Sequence, residues 1–464
     1  MKNTRGNAGF LPDVRLVKRR EQIVTDIVKK SSVVMQRSDK WSAQVGFYRF
    51  LSNTEVTEAN LIKGTIEHCV TQCQDKYHVL LIEDTTELNL EKHRNRIRDK
   101  SGLGLTGNNK DIGFFCHPTL AVDPEDASLI GVPDVYLWHR DEEKAKNPKK
   151  NHKQLVIEEK ESYRWVKCAI ESRKRLKTVK RVTTVQDREG DIYESFCQLQ
   201  NSGVDFVIRS NYDRKTTEGK LHELLSNLPV IGEYKLQVTG DSKKRSKREA
   251  IMEIRYAKIE LCRPFNVVHP EKYPGTLPLY VVYVEENPES VPPGEEPIKW
   301  ILYTSHTVES IEDALQIVYW YTLRWLIEDF FRTLKTDGLN YEKSELETGA
   351  ALRKLLIISL VAAIKILQLR QARDGTTKQK PTLVFSEDQL KCMEDLHERF
   401  EGKTEKQKNP HPKDNLGWAT WLIARLGGWK GYTSQRPAGV ETLRIGLQQF
   451  YSMYEGWLLG KRRE

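Results

Sequence analysis

Between residues 320 and 335, four polar side chains recur at helical spacing: Tyr321, Arg324, Glu328 and Lys335. At ~100° per residue they share one narrow stripe, while Trp320, Leu323, Ile327, Phe330 and Leu334 fall on the opposite side. Such a helix packs with one face and presents a phenol, a guanidinium, a carboxylate and an ammonium on the other. The stripe alone has a plain explanation, since Arg324 and Glu328 at i, i+4 could simply pair on a solvated surface. Two upstream carboxylates shift the balance. "KYHVLLIEDTTEL" contains a β-prone apolar run that delivers Asp84 at its end, and "KRVTTVQD" does the same for Asp187. Two strand-end aspartates and one helical glutamate are what a two-metal phosphodiester site requires. Magnesium is a hard ion that prefers carboxylate oxygens. Two such ions activate an attacking water and stabilise the leaving oxygen. Basic groups beside the third carboxylate would then hold a phosphate backbone. Asp329, rotated ~100° from Glu328, falls outside this set.

The elements that must position these groups are legible in outline. With 464 residues the chain exceeds one typical domain. Its 74 Lys and Arg against 65 Asp and Glu give a net charge of +9, which favours a polyanionic partner without demanding one. The seven cysteines are scattered and lack zinc-site spacing, as reduced intracellular thiols would be. No apolar run reaches membrane-spanning length, and "MKNTRGNAGF" has no secretory apolar region, so a cytoplasmic location is expected. Residues 14–74 read as helical. "IGFFCHPTLAVD" and "GVPDVYLWHR" read as antiparallel strands, and "REGDIYESFCQLQ" as a helix with Asp191 as N-cap. Residues 204–305 are short alternating segments and mostly β. From Val308 onward the pattern is helical again, ending in two C-terminal helices. Two basic stretches, "NPKKNHK" and "SKKRSKR", suit either DNA-backbone contact or solvated loops.

The stretch from Tyr321 to Lys335 resembles the Y-x2-R-x3-E-x6-K signature of IS-four-type bacterial DDE transposases, the family that includes the Tn-five transposase. "LLIEDTTEL" and "VQDREGDIYESF" resemble the two blocks that carry that family's aspartates, in the same order. "FVIRS", "PIKWILYTS" and "ARLGG" also resemble their counterparts. The resemblance implies an α/β protein: a ribonuclease-H-like catalytic domain with a β-rich insertion and helical N-terminal and C-terminal regions. It divides the chain into 1–74 (DNA-end binding), 75–203 (first catalytic part), 204–305 (β-rich insertion and return strand), 306–370 (catalytic and packing helices) and 371–464 (C-terminal dimerisation).

The activity so implied is cut-and-paste transposition of double-stranded DNA by hydrolysis, hairpin formation and strand transfer, within a homodimeric synaptic complex of a bacterial, nucleoid-associated protein. Asp84, Asp187 and Glu328 would hold two Mg2+ ions, with Mn2+ as a substitute. Tyr321, Arg324 and Lys335 would contact phosphates, as would Arg332, which stands where the family has Lys. Arg209, Tyr234 and Trp300 match positions that receive a flipped base, and Arg15 matches a basic position of the end-binding region. Phe331 departs from the family's His. The leading helix of the family is shortened here, which raises an alternative: a non-catalytic inhibitor that dimerises with a full-length transposase. A non-transposase nuclease of the same fold is the third reading.

Overall fold

The computed structural model describes residues 11–34, 41–141, 154–240, 245–336, 338–432 and 436–461. The stretch "NPKKNHK" and the first residues of "SKKRSKR" lie outside them. Three helices come first, α1 (Val14–Lys30), α2 (Trp41–Ser52) and α3 (Glu58–Gln72). The strands β1 (His78–Glu83), β2 (Thr86–Asn89), β3 (Gly104–Leu105), β4 (Ile112–Val122) and β5 (Leu129–Trp138) follow. Then come α4 (Arg164–Arg175), β6 (Arg181–Gln186), α5 (Tyr193–Asn201) and β7 (Asp205–Arg209). The largely β section contains β8 (Lys215–Thr216), β9 (Gly219–Lys220), α6 (Leu221–Ser226), β10 (Gly232–Val238), β11 (Arg248–Cys262), β12 (Thr276–Glu286) and β13 (Lys299–Thr304). The remainder is helical: α7 (Ile311–Thr322), α8 (Trp325–Lys335), α9 (Gly349–Ala372), α10 (Glu387–Phe400), α11 (Leu416–Leu426) and α12 (Val440–Lys461).

All of these strands belong to one mixed sheet. Its main path runs β2-β4-β1-β6-β7-β13-β12-β11-β8-β9, with β5 paired to β4 and β10 to β11. The section 204–305 therefore continues the sheet through β13, which pairs antiparallel with β7, rather than standing apart from it. Strands buried on both faces read as unbroken apolar runs, because period-2 alternation sends successive side chains into different cores. In β7, Val207 enters the core shared with the N- and C-terminal helices, while Phe206 and Ile208 join Tyr193 and Phe196 of α5 on the other face. Leu302 of β13 faces the first core, and Ile301 and Tyr303 the second. Helices thus cover both faces. At the centre of the helical side, α9 is apolar nearly all round, as a buried helix must be. The Thr348 hydroxyl caps its start at the amide of Ala351.

Two local expectations change. Tyr321–Lys335 is not one helix: α7 ends at Thr322 and α8 begins at Trp325. Leu323 and Arg324 keep right-handed helical dihedrals, but the amides of Arg324, Leu326 and Ile327 bond three residues back instead of four. This 3₁₀-like tightening advances the chain by more than 100° per residue. The packing set survives it: Trp320, Ile327, Phe330 and Leu334 are buried and Leu323 is half-buried. The other change concerns Asp191, which does not cap α5; Ile192 holds that position. Asp191 is buried instead. It pairs with Arg214 at 2.6 Å and accepts the amides of Asn211 and Tyr212 at 2.7 and 3.1 Å, anchoring the loop after β7.

Removing one partner of a buried ion pair strands the other's charge. Asp191→Ala is therefore expected to cost about 3–5 kcal/mol, read as a lower urea midpoint at unchanged slope. An unchanged midpoint would show that Arg214 finds water once released.

Candidate active site at the strand ends

β1 and β6 are parallel neighbours, with Ile82 opposite Val185. Two residues further along the same register, Asp84 and Asp187 leave their strands side by side. Pleat alternation gives both the same face: Asp84 follows Leu80 and Ile82, and Asp187 follows Val185, all directed at the helical core. By the same rule Arg209 follows Val207 at the end of β7, which is parallel to β6. Trp300 lies on β13, next but one to Leu302, where β13 runs back beside β7. Four adjacent strands thus bring two carboxylates, a guanidinium and an indole to one edge of the sheet. This is the edge at which open α/β sheets place ligands, beyond the carboxyl ends of the parallel strands.

The α7–α8 junction closes over that edge. Arg324 Nη1 donates to Asp84 Oδ2 at 3.1 Å and to Glu328 Oε1 at 3.4 Å, bridging the two carboxylates. The hydroxyl of Tyr321, a buried residue, donates to Asp187 Oδ1 at 3.2 Å. The Trp300 and Tyr321 rings meet edge to face with centroids 5.6 Å apart. Burial raises the Tyr321 phenol above its ordinary pKa and Asp187 adds to this, while Arg209 and Arg324 act the other way. At the far end of α8, Lys335 Nζ donates to the Glu87 carbonyl at 2.6 Å, on the strand that follows Asp84. The stripe read from the sequence therefore spans the gap from Asp187 to β2.

The other candidate residues lie further out. Arg332 is exposed and pairs with Asp329 on its own helix. Arg15 is exposed, pairs with Asp13 at the start of α1, and lines a surface groove of about 610 Å³ with Arg19, Arg49 and Trp41. Tyr234 sits on β10, three strands from Trp300, roughly 14 Å at normal strand spacing. Its side chain packs toward the core, and its hydroxyl has no hydrogen-bond partner among the described residues. Within the basic stretch "SKKRSKR", Arg248 is occupied by Glu286 at 2.8 Å and Glu295 at 2.6 Å.

Beneath the aspartates lies a support that sequence reasoning did not single out. Glu83 points to the opposite face from Asp84 and is fully buried. It accepts from Gln186 Nε2 at 2.6 Å and from the Thr119 and Thr184 hydroxyls, both at 3.1 Å. Burial pushes its carboxyl up to about 8 against those donors. At the turn itself, Arg164 Nε donates to Thr85 Oγ1 at 2.8 Å and Nη2 to Glu189 Oε2 at 2.5 Å, tying the turn after β1 to the turn after β6. The signal was present: Glu83 and Thr85 flank Asp84, while Gln186 and Glu189 flank Asp187 in the same motifs.

Burial also raises Asp84 to about 6, and Glu328 and Asp187 push the same way against the Thr85 amide and Arg324. Among the described residues no three acid, His or Cys side chains are already gathered closely enough to hold a metal ion. Arg324 lies between Asp84 and Glu328 and supplies their positive charge. The pKa shift sets a stability window. As pH rises from 3.8 to about 6, the unfolded chain gives up the Asp84 proton first, so the native state loses stability across that interval. Asp84→Asn should therefore melt higher than the wild type above pH 6 in the presence of a chelator, with the gain vanishing below the unfolded value. Calorimetry across pH checks this. A variant that melts lower at pH 7 would show that the Arg324 pair outweighs the desolvation.

No described helix is long and apolar enough to cross a membrane. Residues 159–364 match a family model described as a transposase DDE domain. That span holds Asp187, Arg209, Tyr234, Trp300 and the whole Tyr321–Lys335 stretch, and leaves Asp84 outside. The match supports a DDE-type transposase, a DNA-binding protein of DNA recombination.

Proposed function

We propose that the chain is an IS-four-type DNA transposase, similar to the Tn-five transposase, which cuts at element ends by hydrolysis, forms and opens a hairpin, and transfers the freed 3′-hydroxyl to target DNA. The observation that carries this reading is the convergence of Asp84, Asp187 and Glu328 with Tyr321 and Arg324 at one sheet edge. The strand order β5-β4-β1-β6-β7, with the last three parallel, supports a ribonuclease-H-like core.

The donor set fits divalent metal. Three carboxylates offer hard oxygens, and Asp84 carries a pKa raised by burial and then by the neighbouring Glu328 and Asp187, the setting in which an added cation is favoured. Asp84, Asp187 and Glu328 would hold two Mg2+ ions, or Mn2+, whose charge polarises the scissile phosphate and lowers the pKa of the attacking water. The protein's own groups do the rest. Tyr321 holds Asp187 in place through its hydroxyl. Arg324 cannot lose its proton, so once it leaves the carboxylates it turns to the nearest phosphate oxygens, which its fork matches. Lys335 adds a point charge two residues beyond the Asp84 turn. Arg209 and the half-buried Trp300 offer a guanidinium and a ring face to an unstacked base. Tyr234 would take part only through a strand or base reaching across the sheet. Arg332 would serve the outer backbone, and Arg15 with Arg19, Arg49 and Trp41 the end duplex. The chain would act as a homodimer through its C-terminal helices, in the bacterial cytoplasm at the nucleoid.

With a duplex carrying the element's own ends, Mg2+- or Mn2+-dependent nicking is expected. Asp84→Ala and Glu328→Ala should each lower it by about a hundredfold or more. Undiminished cleavage by either variant would sink the metal-site assignment. Trp300→Ala separates the steps. The first nick should persist while hairpin formation falls by about 5- to 100-fold, the worth of one stacked base. Equal loss at both steps would reduce Trp300 to scaffolding.

A further inference from the structure

Away from the strand ends, α1, α3, α9 and α12 enclose a cavity of about 630 Å³ that the proposed chemistry does not use. Arg20 of α1 and Lys365 of α9 both reach it. Arg20 is only 8% exposed, and its hydrogen bond to Thr65 Oγ1 is long, at 3.4 Å. Lys365 Nζ donates to the Val384 carbonyl at 3.1 Å. Their remaining N–H groups have no partner among the described residues. No acid forms an ion pair with either among the described residues. Glu21 acts on both through space without pairing, and Glu455 lies 3.8 Å from Lys29. Lys18 and His68 add further basic groups to the lining.

Burying a cation without an anion, as at Arg20, is costly, and a second, half-buried cation at Lys365 adds its repulsion. The cost is visible on Lys365, whose ammonium is pushed down to about 8 by burial and then by Arg20, with Glu21 offsetting part of this. Burial lowers Arg20 as well. Cations in such a position call for an anion that can bond both. A phosphoryl group meets the requirement, because its several oxygens accept from a guanidinium fork and an ammonium at once. The cavity has room for a phosphate ester and none for a duplex.

We propose that this cavity binds a phosphoryl group, which neutralises Arg20 and Lys365 together and fastens α1 to α9 and α12. The occupant is a small phosphorylated anion or a single phosphate at a DNA strand terminus.

The test uses the full chain in phosphate- and sulfate-free buffer with chelator, read by thermal melting and titration calorimetry, with inorganic phosphate and pyrophosphate as probes. Either probe should raise the melting temperature with the logarithmic dependence of a ligand that binds only the folded state. Lys365→Met and Arg20→Gln should each weaken binding by about tenfold or more, the worth of a charged hydrogen bond. Without ligand, Lys365→Met should melt no lower than the wild type, since it removes a half-buried cation that no acid pairs with among the described residues. A lower melting point without ligand would assign Lys365 to bracing Val384 and overturn the proposal. Equal phosphate responses in all three proteins would mean an adventitious ion only, and would overturn it too. A Lys365-dependent shift with a short 5′-phosphorylated oligonucleotide, absent without its phosphate, identifies DNA as the source. Its absence beside a positive phosphate response identifies a free anion.

Discussion

The parallel register of β1 on β6 is the constraint from which the candidate site follows. Ile82 lies opposite Val185, so the two strands end together and release Asp84 and Asp187 as neighbours on one face. A slip of one residue would turn one carboxylate to the other side of the sheet and expose an apolar run. The residues just before the aspartates guard against that slip. Glu83 of β1 takes the amide of Gln186 of β6 and the hydroxyls of Thr119 and Thr184, joining β1, β4 and β6 through one buried carboxyl. With its pKa near 8, that carboxyl is mostly neutral at physiological pH, so it adds little charge beside Asp84. The acid that braces the strand ends and the acid proposed to work beside them differ by one position and by the face they occupy.

The helix meets this edge through a local tightening of its backbone. In an unbroken α-helix, Tyr321 and Glu328 would keep the fixed angular relation read from the sequence. The three-residue hydrogen bonds around Leu323 and Arg324 change it. Tyr321 reaches Asp187 from α7, while Glu328 stands beside Arg324 on α8. Packing holds both pieces: Trp320 lies against His78 and His306, and Ile327, Phe330 and Leu334 are sunk in the main core. The apolar stripe thus sets where the polar stripe can be, which is why a helix bearing so many charges also carries tryptophan and phenylalanine.

What the sequence made legible was whatever depends on local pattern. The strand runs ahead of Asp84 and Asp187 follow from short, β-prone apolar stretches, and the two-faced segment at 320–335 from a periodicity near 3.6. Less visible was whatever depends on partners distant in sequence. Nothing near Asp191 reveals that Arg214 will claim it in place of a helix amide. The resemblance implies a return strand within 204–305, but nothing local to residue 204 shows that it will pair with β7 and merge the β-rich section with the central sheet. Tyr234 shows a separation that the sequence does not carry: its strand is where expected, and three strand widths lie between it and Trp300. The cavity at Arg20 and Lys365 joins residues 345 positions apart, and their charges read as ordinary helix surface until the helices are packed.

Arg324 connects the electrostatics of the site to its proposed substrate. Its guanidinium bridges Asp84 and Glu328, and Asp187 and Tyr321 also act on it electrostatically. Burial alone would lower its pKa, yet its acidic neighbours outweigh burial and raise it, so the charge is fixed. If Asp84, Asp187 and Glu328 held a divalent ion, as proposed, its charge would replace the neutralisation that Arg324 provides, and Arg324 would be repelled. The displaced guanidinium has no carboxylate to return to and must find another anion or stand partly buried without one, at a cost of several kcal/mol. A phosphodiester at the same edge is that anion. On this reading metal and DNA do not fill the site independently: each removes part of the other's electrostatic cost, and Arg324 carries the coupling between them.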